Sequence, residues 1–502
     1  MSRKTKISRR KFLAGAGAAG AATVLGSTLY AHLREQQYTY LPRVTRSLES
    51  DRPNIISIVL DTLRYDHVGF HGNAGIHTPN IDAFAAESQV FDKAYAAGFP
   101  TVLNRAEFLT GRYMYTRMGW ADLPEDELVL ADVLNNAGYT TGLVFDTLHY
   151  KDHFTFNRAF QSWEWVRGQE EDRWRATPLN PPLPADPSKF RHGAAHVQQY
   201  LRNMSTRSGD DDFMAARTFK EGINWLRHSG SENAFYLHID SFDPHEPFDA
   251  PQSYVDLYDP GYVGESVIYP AYAPPDYLTA AELNHVRALY KAEVTMVDHW
   301  FGNFLNELAN LGLDNNTIVI LFSDHGFLFG EHNAVGKTWD TETVQRSYPM
   351  WEELVHVPLM VRMPGMAPKR IAALAQPADL MPTILEMAGV AVPGTTEGVS
   401  LLPVINDGSS PTHPAVVAGR SLKTPLAQDP LLMVTDGEWS LQHGGGHVAS
   451  MLYHLPSDPQ QQNNVLGSNC ATARSLHSYL INFLESLNTE AALLDPWRPA
   501  PC

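Results

Sequence analysis

Cysteine is almost absent from this chain: there are two in 502 residues, Cys470 and Cys502, both near the C-terminus. So few cysteines exclude a disulfide-framework fold and a thiolate metal cluster, and neither lies in a motif that reads as catalytic. Whether the two pair with each other stays open. Positive charge is also scarce. The 38 Lys and Arg are outnumbered by 56 Asp and Glu, giving a net charge of −18. A nucleic-acid binder would present a basic surface, so the balance argues against nucleic acid as a partner. No internal repeat and no long low-complexity segment interrupts the sequence. What remains is ordinary globular material, 44% apolar and 19% charged, long enough for one large domain and a smaller one.

Long apolar runs are missing too, and this matters at the N-terminus. "MSRKTKISRRKFLAGAGAAGAATVLGSTLYAHL" opens with a basic region and continues into an Ala/Gly-rich stretch. That pattern reads as an export signal over residues 1–35. The twin arginines Arg9 and Arg10, inside "SRRKFL", point to the twin-arginine route, hence to a periplasmic or cell-surface location. The stretch is too weakly apolar to read as a permanent span. No clear small-x-small cleavage site stands out, so an uncleaved membrane anchor stays open as the one membrane contact.

Short apolar runs are plentiful. "NIISIVLD" (54–61), "YTTGLVFD" (139–146), "AFYLHIDSF" (234–242), "NTIVILFSD" (316–324) and "HVPLMVRMP" (356–364) read as strands buried on both faces. Helical patterns lie between them, at 78–88 and 282–312. The alternation predicts an α/β fold with a large, mostly parallel sheet sandwiched by helices. Residues 167–215, rich in Pro, Gly and charge, read as a long excursion facing substrate or solvent. Beyond about residue 400 the character changes to short strands and one helix. The expected organisation is therefore a catalytic domain over 51–400 and a small α+β subdomain over 401–502.

Three strands end on carboxylates: Asp61, Asp146 and Asp324. Ligands of open α/β sheets bind beyond the carboxyl ends of the strands, so these ends are expected to converge. His325 follows Asp324, with His332 and Lys337 beyond it, and His245 follows a third strand. Acid, acid and imidazole together suit a metal site. "PTVLNRAEFLTG" supplies a candidate nucleophile. Pro100 suits a helix start and Gly111 a stop, which sets Thr101 at a helix N-terminus that favours anions. Arg105 falls four residues later on the same face, so hydroxyl and guanidinium are expected to face one tetrahedral oxyanion.

Asp61, "TVLNRAEFLTGR", "DPHEPF", "FSDHG…GEH…GK", "EELVHVPLMVRMPG", "ADLMPTILEMAGV" and "LYHLPSDPQQQNNV" occur in the order seen in sulfatases. The chain resembles that family, within the alkaline-phosphatase-like superfamily, over roughly residues 51–485. The resemblance implies Asp61, Asp324 and His325 as metal ligands. It implies Arg105 as the residue that holds the nucleophile, His245 beside the leaving group and Lys337 on the oxyanion. Thr101 stands where the family has the Cys or Ser that becomes formylglycine. Threonine cannot yield that aldehyde, because its Cβ carries a methyl group. Thr62 replaces the family's second Asp after the first strand. A Lys–x–His element after the next strand is not clear, with Asp146 and His149 in that neighbourhood.

Without the aldehyde a phosphate ester, mono- or diester, is the favoured substrate, with Thr101 as nucleophile and fourth metal ligand. A true sulfuric ester hydrolase and a non-catalytic metal- and anion-binding homologue are the alternatives. One divalent ion is expected. The ligand set leans toward Zn²⁺ or Mn²⁺, whereas family habit is Ca²⁺ or Mg²⁺. A second metal would have to draw on His238, Asp240, Asp243 and His245. The expected partner is a small-molecule or glycan ester, and the oligomeric state is left open.

Overall fold

The apolar runs become strands with nearly the expected limits. The computed structural model describes residues 52–502 except 151–154, 231–233, 341–344, 411 and 424–430. The expected signal segment, 1–35, lies outside the described residues. Among the described residues, no helix is long and apolar enough to cross a membrane.

The large sheet has eight strands: β1 (Asn54–Leu60), β2 (Gln89–Ala94), β3 (Thr140–Phe145), β4 (Ser162–Trp165), β5 (Phe235–Ser241), β6 (Thr317–Phe322), β7 (Leu359–Arg362) and β8 (Lys369–Ala375). Their spatial order is β8-β2-β7-β6-β1-β5-β3-β4. Only β7 runs against the rest, antiparallel to both β6 and β2. The sheet is therefore mostly parallel, as the uninterrupted apolar runs imply.

Alternate residues of each central strand enter opposite cores. Ile55, Val59, Tyr236, Leu143, Ile318 and Ile320 pack on one side, and Ile56, Ile58, Leu60, Leu237, Ile239 and Leu321 on the other. This is the period-two alternation of a strand. Seven helices matter to the argument: α1 (Pro79–Ala86), α2 (Thr101–Thr110), α3 (Ala194–Met204), α4 (Met214–Ser229), α5 (Ala280–Asn310), α6 (Leu380–Met387) and α7 (Cys470–Ser486). Residues of α1, α4 and α5 pack in the second core. Those of α2, α6 and α7 pack in the first. The long helix α5 opens with a capping box. Thr279 Oγ1 accepts from the Glu282 N–H, and Glu282 accepts from the Thr279 N–H.

A smaller antiparallel sheet follows: β9 (Val416–Gly419), β10 (Leu432–Thr435), β11 (Trp439–His443) and β12 (Met451–His454), in sequential order. Val417, Leu432, Leu441 and Leu480 share the first core with the catalytic helices. The small sheet is thus continuous in packing with the large one. The excursion at 167–215 is partly helical, carrying α3. Cys470 and Cys502 form a disulfide, joining the start of α7 to the last residue.

Candidate active site

Parallel order brings β6, β1 and β5 side by side, and their carboxyl ends bring Asp324, Asp61 and Asp240 together. Asp61 directly follows β1, and its N–H donates to Ser241 O at 3.0 Å. Thr62 then turns the chain with φ 65, an outlier for a β-branched residue and of the kind found at functional sites. The turn is held from three sides. Thr62 N–H donates to Asp324 Oδ1 (3.1 Å), its hydroxyl donates to Asp61 Oδ1 (2.8 Å), and its carbonyl accepts from Tyr290 Oη (2.8 Å). Thr62 therefore fixes both carboxylates in place.

Helix α2 approaches this edge with its N-terminus. Pro100 caps it from outside, Thr101 is its first residue, and Gly111 ends it in the left-handed region (φ 66), donating its N–H to Glu107 O. All ten residues of α2 are buried. Glu107 clamps both flanks by accepting from Gly98 N–H (2.6 Å) and Met114 N–H (3.0 Å). Asn104 ties the helix to the ligand strand by donating to Asp324 O at 2.8 Å.

Thr101 Oγ1 lies 3.1 Å from His325 Nε2. The other ring nitrogen of His325 is 3.1 Å from Gly326 O, which places its proton on Nδ1 and leaves an Nε2 lone pair facing Thr101. Burial pushes His325 down to about 3, so the ring is neutral. The same Nε2 is 3.5 Å from Asp324 Oδ2 and 3.9 Å from Asp61 Oδ1.

Arg105 departs from expectation. It was expected to share an open oxyanion with Thr101. Instead it is 1% exposed and turned inward. Nε and Nη2 clamp Asp240 (2.7 and 2.8 Å), Nη1 reaches Asp324 (2.6 Å), and Nη2 also reaches Asp61 (2.9 Å). Nη1 further donates to Thr101 O at 3.4 Å. A guanidinium has five donor hydrogens, and each has an acceptor here. Arg105 therefore organises the ligand carboxylates.

These carboxylates fit a divalent cation. Asp61, Asp324 and His325 each offer a ligand atom, all within 4.8 Å of one another. Three buried carboxylates against one guanidinium leave two negative charges uncompensated. Burial first, and the Asp324 charge second, push the Asp61 carboxyl well above its ordinary range. Both causes disfavour the carboxylate, and a divalent cation held between the two aspartates would offset both. Thr101 Oγ1 stands beside this group, 3.1 Å from His325 Nε2.

The other expected residues are less uniform. His245 and Lys337 both line the cleft above Thr101. His245 Nδ1 donates to Glu246 O at 2.5 Å and its ring stacks on Phe242. Lys337 Nζ lies 3.8 Å from Glu246 Oε2. Asp146 does not join the cluster. It accepts from Thr218 Oγ1 (2.9 Å) and Phe242 N–H (2.7 Å). Of the four residues considered for a second metal, His238 lies 3.9 Å from Asp240, but each side chain has partners of its own. His238 is held by Ser57 and Tyr150, and Asp243 by Gln169 and Ala215. His332 stacks on Trp351, away from the cleft. His149 does line the cleft. The sequence does carry a Lys–x–His triplet after β3, Lys151–Asp152–His153, and all of it falls outside the described residues, at 151–154.

The cleft has a volume of about 480 Å³. The 167–215 excursion supplies Glu170, Glu171, Arg191, His192 and His196 to its wall, and the segment after β9 supplies Arg420. Neither Arg420 nor the role of Asp240 as the partner that grips the Arg105 guanidinium was found from sequence. Asp240 precedes its strand end by one residue, and Arg420 lies in a subdomain that carries no catalytic motif.

A hydroxyl at a helix N-terminus over a buried acid–imidazole cluster, at the carboxyl edge of a parallel sheet, defines a hydrolase of anionic esters. The chain belongs to the sulfatase family: the Sulfatase model matches residues 53–390. A second model, N-sulphoglucosamine sulphohydrolase, C-terminal, matches 346–489. The chain is 25% identical over 465 residues to an arylsulfatase of Clostridium perfringens, covering 83% of this chain and 91% of the relative. It is 27% identical over 441 residues to an ulvan-active sulfatase of Formosa agariphila, covering 84% and 78%. Its fold matches the phosphonate monoester hydrolase of Agrobacterium radiobacter with a TM-score of 0.66 at 22% identity, covering 88% and 96%.

Proposed function

We propose that this sulfatase-family hydrolase cleaves phosphate esters, mono- or diester, of a small molecule or glycan, with Thr101 as nucleophile. The observation that carries the reading is the position of Thr101. It opens α2 with its hydroxyl 3.1 Å from His325 Nε2, so oxygen and imidazole nitrogen can face one divalent ion that activates the hydroxyl. Asp61, Asp324, His325 and Thr101 would hold one divalent ion, with an oxygen-and-imidazole set that favours Zn²⁺ or Mn²⁺. When bound, the ion supplies Lewis acidity toward the nucleophile and the reacting group.

The chain's own residues then divide the work. Thr101 gives up its hydroxyl proton to solvent, and its Oγ forms a bond to phosphorus as the bond to the leaving oxygen breaks. Lys337 and the first N–H groups of α2 face the nonbridging oxygens. His245 serves the leaving oxygen. Its Nδ1 proton is committed to Glu246 O, so Nε2 can donate only as imidazolium. Burial first, and Lys337 second, disfavour that form in the free enzyme, and a bound anionic ester restores it. Water then attacks phosphorus and the Thr101 Oγ–P bond breaks.

The chemistry of threonine separates phosphate from sulfate. A sulfated aldehyde hydrate sheds sulfate by C–O cleavage using its second hydroxyl. A sulfated threonine has no second hydroxyl, whereas a phosphorylated one is open to in-line attack at phosphorus. Metal-loaded enzyme should be assayed on matched aryl sulfate, phosphate monoester, phosphate diester and phosphonate, beside Thr101→Ala. Phosphate turnover should dominate, and Thr101→Ala should lose at least about 10³-fold. Sulfate turnover above every phosphorus substrate would sink the phosphate reading, and full turnover by Thr101→Ala would sink the nucleophile. The twin arginines support export. Arg9→Lys with Arg10→Lys should hold the protein in the cytoplasm of a bacterial host, and unchanged export would refute that route.

A further inference from the structure

Arg420 follows β9 and is tied beside the nucleophile helix. Gly419 N–H donates to Ala97 O and Gly419 O accepts from Phe99 N–H, both at 2.9 Å. The Arg420 backbone therefore runs next to the segment that ends at Pro100 and Thr101. Its guanidinium lies 5.0 Å from the Phe99 ring centroid, and Nη2 donates to Lys337 O at 3.0 Å. Arg420 lines the cleft together with Thr101, His245 and Lys337.

The residue is 4% exposed. Among the described residues no carboxylate lies within 4.0 Å of it, and its buried Nε has no hydrogen-bond partner. The neighbouring cations are matched. Lys337 faces Glu246 at 3.8 Å, and Arg191 faces Glu246 at 3.7 Å and Asp340 at 3.4 Å. Arg105 is saturated by three aspartates. Removing a charge from water is costly unless a counter-charge meets it, so buried arginines are ordinarily paired. A planar guanidinium with free donors suits a tetrahedral oxyanion, which it can grip with two parallel hydrogen bonds. Burial lowers Arg420 only to about 10, so it is charged at neutral pH.

We infer that Arg420 is an anion-binding residue of this cleft, donating to nonbridging oxygens of the phosphate or sulfate group presented to Thr101. It takes the place at the oxyanion that Arg105 leaves by turning toward the carboxylates. The assignment rests on the proposed ester-hydrolase reading for where the reacting group lies. It requires no turnover, and it makes the small C-terminal sheet a contributor to the site.

The test is titration of the metal-loaded full chain with inorganic phosphate and, separately, inorganic sulfate, read by calorimetry. Arg420→Gln should weaken the tighter of the two by at least fivefold in Kd. A change below fivefold for Arg420→Gln overturns the assignment. Should that variant fail to fold, Arg420→Met, which keeps the stem over Phe99, is read by the same criterion. Should both fail, a crystal structure of the wild type with phosphate decides. A guanidinium nitrogen beyond hydrogen-bond distance of the anion overturns the proposal. Because binding and turnover are read separately, loss of the Thr101 mechanism would not be mistaken for loss of this one.

Discussion

Arg105 holds three buried carboxylates at once, so its removal is the most damaging single change at the site. Arg105→Met leaves Asp61, Asp240 and Asp324 facing one another without a counter-charge. Breaking a buried ion cluster from one side costs about 3–5 kcal/mol, and the melting temperature should fall accordingly. A variant as stable as wild type would show that the aspartates do not depend on it. The same charge imbalance predicts metal dependence. Stripping with a chelator should abolish turnover and lower the melting temperature, because a ligand at about 1,000 times its Kd stabilises by about 4 kcal/mol. Recovery by Zn²⁺, Mn²⁺, Ca²⁺ or Mg²⁺, added one at a time, identifies the ion. If no ion changes the melting temperature, the cluster is not a metal site. At this scale the sequence was informative about identity and blind to direction. Asp61, Asp324, His325 and Thr101 were legible from strand ends and a helix start. The inward turn of Arg105 was not, because spacing along a helix fixes a face and not which partners lie beneath it.

Among the elements, α2 decides the geometry, and it is held by its flanks. Gly98 sits where the chain passes between α2 and β9. A Cβ there would stand 2.7 Å from Leu103 Cβ and 2.8 Å from Glu107 Oε1. Gly98→Ala should therefore destabilise by about 1–3 kcal/mol and reduce turnover by shifting the start of α2. Unchanged melting and rate would show that the flank is not a constraint. A second link joins α6 to the small sheet. Gln376 Nε2 donates to Ala96 O and Val417 O, and Asp379, which opens α6, accepts from Gln376 N–H and from His413. Burial opposes charge on His413, but the Asp379 carboxylate outweighs it and raises the imidazole above its ordinary value near 6.5. The resulting stabilisation is fully present below the unfolded pKa of about 6.5 and is lost as pH rises through the higher folded value. Wild type should lose stability as pH rises above about 6.5 in chemical denaturation, by a step that His413→Gln lacks. Identical pH profiles would refute the link. The limits of the expected strands and of α5 were readable within three residues, since apolar period and capping act locally. The excursion read as loop contains α3, whose amphipathic face is masked by the surrounding Pro, Gly and charge.

Over the whole molecule, the Cys470–Cys502 disulfide closes the C-terminal segment around α7. A loop of this length is worth about 3–4 kcal/mol in the chain-entropy account. Reduction should lower the melting temperature without changing Kd for phosphate, because no residue of α7 lines the cleft. An unchanged melting temperature on full reduction would show that packing alone holds that segment. Leu476, Leu480 and Leu484 are buried there, so the fold itself should survive reduction. The reading of 51–400 and 401–502 as catalytic and accessory parts marks the change in sequence character. In space the small sheet begins at Val416, shares a core with α2 and α6, and lends Arg420 to the cleft.

What the sequence determined by itself was the class of fold, the set of ligating and attacking residue types, and the chemical oddity of Thr101. These follow from local patterning and from which atoms a side chain owns. Only the tertiary structure decided which way Arg105 faces, that Thr62 locks two carboxylates, that Asp146 stays outside the cluster and that Arg420 lines the cleft with Thr101. Those outcomes depend on strand order and on contacts between residues hundreds of positions apart. Along one chain, neither distance nor burial between such residues is written.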